Sequence, residues 1–145
     1  MVYRGHSPNI QLNAEADDCL KRFGQVPKYI VTDGNKQVQE SKIKALGLHQ
    51  RVNFYYITHR YGIKSAKPSP YCFLKICQRE QVPPENVLYI GDNPHKDFVG
   101  IKPLGFKTIR VMQGQYKDLV KPQEYEADYQ IKSLAELDDK LLTTI

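Results

Sequence analysis

The order of elements predicts an α/β fold, a mostly parallel sheet with helices on both faces, and three observations carry that expectation. Short β-branched or aromatic runs end in turn signals, segments with helical spacing separate them, and the alternation continues from Ala14 to the end of the chain. The first element is a helix: AEADDCLKRF (14–23) sets Ala16, Cys19, Leu20 and Phe23 at helical spacing, with Gly24 as its stop. Tyr29 to Thr32 (YIVT) is a strand, Asp33-Gly34-Asn35 a turn, and KQVQESKIKAL a helix closed by Gly47. The pattern then repeats. Val52 to Thr58 is strand-like, and Ser69-Pro70 supplies an N-cap and a first-turn proline. The helix that follows puts Phe73, Ile76 and Cys77 on one face before Pro83-Pro84 ends it. Asn86 to Ile90 is the next strand, a short helical stretch opens at Asp97 and stops near Pro103, and Lys107 to Met112 is a further strand. Ala127 to Ile131 forms a last short strand, and Ser133 to Glu136 is a capping box for a terminal helix.

A chain of 145 residues fits one domain, 1–145. It is 41% hydrophobic and 26% charged, has no apolar run long enough to span a bilayer, and opens on a polar stretch. Those features predict a cytoplasmic globular protein with no membrane partner. Cys19, Cys72 and Cys77 form no CxxC pair and leave one over, which argues against a disulfide framework or a zinc knuckle. The net charge of +5 comes from scattered lysines without an Arg-rich tract or an aromatic–basic motif, so nucleic acid is not the expected partner.

In a parallel sheet, right-handed crossovers bring every strand's carboxyl end to one edge, and ligands bind there. Thr32 and Asp92 both stand at strand ends and therefore meet at that edge. In YIGDNPHKDF (89–98), Asp92 at the strand tip and Asp97 in the following loop can both reach one magnesium ion. That ion takes one or two carboxylates and completes its shell with water and phosphate oxygens. Read alone, the stretch serves equally as an Asx turn at Asp92-Asn93-Pro94 with Asp97 capping a helix. The Thr32 hydroxyl and the N–H groups of the Asp33-Gly34-Asn35 turn, ahead of a helix N-terminus, suit a phosphate oxygen, although threonine is common in strands and DGN in turns. Lys67 lies in Lys-Pro-Ser-Pro just before a helix start, where its ammonium can offset charge on a phosphate and on nearby carboxylates; a lone surface lysine is ordinarily just solvated. His59 and His95 are lesser acid–base candidates.

Taken in order, IVTDGN, KPSP and YIGDNPHKD resemble motifs two, three and four of the haloacid dehalogenase (HAD) superfamily. The resemblance runs from roughly Leu12 to Ile145, and the closing ADYQIKSLAEL resembles that family's last strand and helix. It implies a Rossmann-like, three-layer sandwich and magnesium-dependent phosphatase chemistry on a small phosphorylated metabolite. By the same resemblance Thr32 hydrogen-bonds the transferred phosphoryl group, with the backbone of Asp33 and Gly34 assisting. Lys67 holds phosphate and nucleophile together, Asp92 binds magnesium directly, and Asp97 supports the metal or orders its waters and the loop.

The family's first motif, a nucleophilic aspartate in DxDx[TV] at the end of the first strand, is absent. VYRGHSPNIQL instead resembles the return of a family member's cap to the core, so residues 1–12 are expected to be a remnant of that linker and the sheet to lack its usual first strand. The strands bearing Thr32 and Asp92 then either pair directly or leave edges through which a second copy could associate. Metal and lysine without a nucleophile leave little turnover of so slow a reaction. The expected function is accordingly a HAD-type phosphohydrolase domain, truncated and weak or inactive alone. The alternative is a non-catalytic phosphate- and magnesium-binding or protein-interaction module.

Overall fold

Tyr29 and Val31 point to one side of their strand and Ile30 to the other, and this two-residue period sets the layering of the molecule. The computed structural model describes residues 2, 3 and 12–144. Its strands are β1 (Val2–Tyr3), β2 (Tyr29–Thr32), β3 (Phe54–Ile57), β4 (Leu88–Gly91), β5 (Lys107–Val111) and β6 (Tyr129–Ile131). They form one parallel sheet in the order β3-β2-β1-β4-β5-β6. The helices are α1 (Ala14–Arg22), α2 (Lys36–Ala45), α3 (Tyr71–Glu80) and α4 (Asp139–Thr144).

Three groups of buried side chains hold the layers together. On one face Cys72, Phe73, Ile76 and Cys77 of α3 pack on Tyr29, Val31, Tyr56 and Tyr89, with Phe98 and Phe106 filling the space beside them. On the other, α1 sets Ala16, Cys19 and Phe23 against Ile90, Ile109 and Val111, while Leu20 of α1 and Ile43 of α2 cover Ile30 and Ile57. Helices therefore cover both faces of a parallel sheet, the three-layer arrangement expected from the sequence. Among the described residues no helix is long and apolar enough to cross a membrane.

The centre of the sheet is filled differently from the expectation of a missing first strand. β1 has only two residues, yet it lies between β2 and β4, with Val2 opposite both Tyr29 and Tyr89 and Tyr3 opposite Ile90. The strands bearing Thr32 and Asp92 thus do not pair directly, and the sheet's edges are β3 and β6. Residues 4–11 of the expected linker remnant lie outside the described residues. Leu12 packs beneath α1. Strand order runs one way from β1 to β3 and the other way from β4 to β6, so the β1/β4 junction is the topological switch point where such sheets bind ligands.

Local outcomes differ from the expectation in two further places. The segment after Asp97 forms successive turns, with the Lys102 N–H donating to the Phe98 carbonyl at 2.9 Å, and a single 3₁₀ turn at Lys102–Leu104. Six residues before a proline are too few to repay helix nucleation. Gly100 also packs so closely on the Pro68 carbonyl that a Cβ there would lie 1.6 Å from its oxygen. At the end of the chain, the Ser133–Glu136 capping box is present but closes a 3₁₀ turn, Leu134–Glu136; α4 starts later, where Asp138 Oδ1 accepts the Leu141 N–H at 2.8 Å.

Candidate functional site

Four segments converge at the carboxyl edge near the switch point: those following β2, β3 and β4, and the Lys67-Pro68 stretch ahead of α3. Asp33, directly after β2, ties them. Its Oδ1 accepts the Thr58 hydroxyl at 2.7 Å and the Lys67 N–H at 3.1 Å, and its Oδ2 pairs with Lys96 Nζ at 2.8 Å. Burial by itself pushes the Asp33 carboxyl up. The charge of Lys67 and the bonds from Lys96, Thr58 and the Lys67 N–H outweigh that push and hold it below the ordinary carboxylate value. Asp33 is therefore an ionised knot rather than a free turn residue.

Lys67 and Asp97 have side chains with no exposed surface, and Lys67 Nζ lies 2.7 Å from Asp97 Oδ1. The same ammonium donates to the Tyr89 hydroxyl at 3.0 Å, which in turn lies 3.4 Å from Asp97 Oδ1. The other Asp97 oxygen accepts two backbone N–H groups, from Asp92 at 3.2 Å and Asn93 at 2.9 Å. This close approach needs Gly91, because a Cβ there would lie 2.6 Å from Asp97 Oδ2. An Asx turn forms at Asn93, whose Oδ1 accepts the His95 N–H at 3.0 Å.

Thr32 closes β2 and is buried, but its hydroxyl turns toward α2 and donates to Gln39 Oε1 at 3.1 Å. Gln39 also lies against Gly34, which has a φ of 116° that only glycine takes readily. His59 sits in a 3₁₀ turn after β3, and His95 is exposed with Nδ1 3.1 Å from Lys121 Nζ. His95 meets the network around Asp97 only through its backbone N–H on Asn93, while its ring faces Lys121.

The sequence candidates Asp33, Lys67, Asp92 and Asp97 thus belong to one connected hydrogen-bond network, with Thr32 and Gly34 at its margin under Gln39. Asp92 sits at the tip of β4, 3% exposed. A hard cation that accepts one or two carboxylates and fills its shell with water and phosphate oxygens fits Asp92. It does not fit Asp97 as a direct ligand, since both of that residue's oxygens are already engaged. No set of three or more His, Cys, Asp or Glu side chains able to hold a metal exists among the described residues. Sequence reasoning passed over Tyr89, Thr58, Lys96 and Gln39, all of which contact the candidates. Lys96 and Tyr89 lie inside the quoted stretch; nothing in the sequence marks Thr58 or Gln39 as partners, because Thr58 reaches Asp33 from the turn after β3 and Gln39 reaches the end of β2 from within α2.

A doubly wound α/β sheet with a buried lysine–aspartate pair and further carboxylates at its switch point defines a ligand-handling Rossmann-like domain. The chain belongs to the haloacid dehalogenase-like hydrolase family, whose family model matches residues 8–105. It is 35% identical over 118 residues to a glyceraldehyde 3-phosphate phosphatase from Pyrococcus furiosus, covering 81% of this chain and 48% of the relative. Among solved structures, a HAD phosphatase from Thermococcus onnurineus superposes with a TM-score of 0.73 at 28% identity, over 90% of this chain and 58% of that one. A magnesium-bound HAD-hydrolase from Bacillus subtilis gives 0.74 at 26%, over 88% and 55%. The chain spans about half the length of the curated relatives it matches.

Proposed function

We propose that this carboxyl edge binds the phosphoryl group of a small phosphorylated metabolite together with magnesium, as part of a HAD-type phosphohydrolase, and that the chain as it stands hydrolyses phosphate esters weakly or not at all. The observation that carries the reading is the Lys67–Asp97 pair, which fixes a buried ammonium at the edge where Thr32 and Asp92 end the two strands flanking β1. Thr32 exchanges Gln39 for a phosphoryl oxygen, the Asp33 and Gly34 N–H groups assist, and Lys67 supplies positive charge beside it. Magnesium bound at Asp92 would add Lewis-acid polarisation of the phosphoryl oxygens. Asp97 serves by fixing the Asp92-Asn93 backbone. The names of the relatives, several of them phosphatases of small metabolites, support this substrate class.

The proposed low turnover is supported by the sequence: the first acidic residue is Glu15, in α1, so this chain places no carboxylate directly after β1 to attack phosphorus. That same fact favours the second reading, a phosphate- and magnesium-binding module without catalysis.

Both are tested by pairing a magnesium-supplemented aryl phosphate assay with calorimetric titration of inorganic phosphate. The expected result is phosphate binding that needs magnesium and is weakened by Thr32→Val, with turnover near background. Robust turnover abolished by Asp92→Ala would show that an attacking group exists and overturn the claim of weak activity. Absence of any phosphate or magnesium binding would overturn the site itself.

A further inference from the structure

We infer that Lys96 is a second phosphate-binding residue at this edge, parked on the Asp33 carboxylate until an incoming dianion takes it over. The inference rests on the phosphate reading above and concerns a residue that reading does not use. Lys96 stands in the loop after β4 and Asp33 directly after β2, the two strands on either side of β1. Their 2.8 Å ion pair therefore bridges the switch point itself instead of joining neighbours along one element.

The two lysines of the network differ in what they can offer. Lys67 is sealed, with no exposed side-chain surface and bonds to Asp97 and Tyr89. Lys96 keeps 25% of its side-chain surface and its partner Asp33 10%, so Lys96 is the ammonium that an anion from solvent meets first. A lysine on a four-carbon stem has three donors and can redirect them without moving the backbone.

Asp33 also does not need Lys96 to stay in place. Its Oδ1 is held by the Thr58 hydroxyl and the Lys67 N–H, which leaves Oδ2 able to release the ammonium. A phosphate dianion offers more charge and more acceptor oxygens than one carboxylate oxygen, so it competes for Lys96 on favourable terms. The exchange makes and breaks only ionic hydrogen bonds. Dianions should bind better than monoanions of the same size, because only they repay the loss of the Asp33 contact.

Calorimetric titration of inorganic phosphate, with magnesium present, into the full chain and four of its variants tests this. Lys96→Ala should weaken binding by up to about tenfold, since truncation removes the phosphate contact together with the Asp33 contact that it replaces. Lys96→Arg should restore most of it, and Asp33→Asn, which keeps the Oδ1 acceptor but releases the lysine, should bind at least as tightly as the parent. A Lys96→Ala protein with parental affinity, or an Asp33→Asn protein that loses affinity in step with it, overturns the inference and leaves a merely structural strap. If Thr32→Val weakens binding while Lys96→Ala does not, the phosphate site stands and only the role of Lys96 falls. If the parent protein itself binds no phosphate, both fall together. Thermal melts of each variant separate loss of affinity from loss of fold.

Discussion

At the scale of single residues, the least forgiving contact is the one between Lys67 and Asp97. Both side chains are entirely buried, and the surrounding groups are chosen to satisfy them: Tyr89 for the ammonium, two backbone N–H groups for the carboxylate. Removing one partner leaves a buried charge without compensation, which typically costs about 3–5 kcal/mol. Asp97→Ala and Lys67→Ala should each lower stability by that order in urea unfolding, whereas the double variant Lys67→Met with Asp97→Leu should lose distinctly less than the sum. Additive losses would show that the two charges are not coupled. Asp92 is legible in the sequence because it stands at the tip of β4, and Lys67 and Asp97 because short motifs mark the loops ahead of α3 and after β4. Tyr89 was not recognised as their partner, because a tyrosine in an apolar strand reads as core, and it is core: its ring packs edge-on against Phe73 with centroids 4.8 Å apart while only its hydroxyl reaches the site.

At the scale of elements, α1 and α3 follow from periodicity, since each buries an apolar stripe, whereas α2 buries only Ile43 and is marked instead by the Asp33-Gly34-Asn35 turn before it and Gly47 after it. The stretch after Asp97 follows from neither signal, because its conformation is decided by the Pro68 carbonyl packed against Gly100, a contact between distant segments. A similar contact joins β2 to the end of α3. The Tyr29 hydroxyl hydrogen-bonds Glu80, and burial first, then that bond, push its ionisation up to about 12. The unfolded value is about 10, so the protonated phenol is favoured in the folded state. Its stabilising contribution is complete below pH of about 10 and is lost as pH rises through about 12. Alkaline denaturation followed by circular dichroism should therefore steepen in that window, and Tyr29→Phe should flatten the dependence there. An unchanged profile in Tyr29→Phe would mean that another group governs the alkaline limit.

At the scale of the whole molecule, β1 is small but central. It is the strand through which the β3-β2 half of the sheet is hydrogen-bonded to the β4-β5-β6 half. The sequence could not show this: Val2-Tyr3 is too short to display a period, and its role depends on two edges that other parts of the chain prepare. Those edges are otherwise unpaired toward the centre, and unpaired strand groups buried between helical layers are costly. A proline at Tyr3 removes a backbone donor in the middle of a sheet and should cost about 1–3 kcal/mol. Because both halves meet at β1, Tyr3→Pro should shift the urea midpoint of the entire domain, with fluorescence and far-ultraviolet circular dichroism moving together. A midpoint unchanged from the parent would show that the sheet's halves are held by α1 and α3 alone and that β1 contributes nothing to closing it.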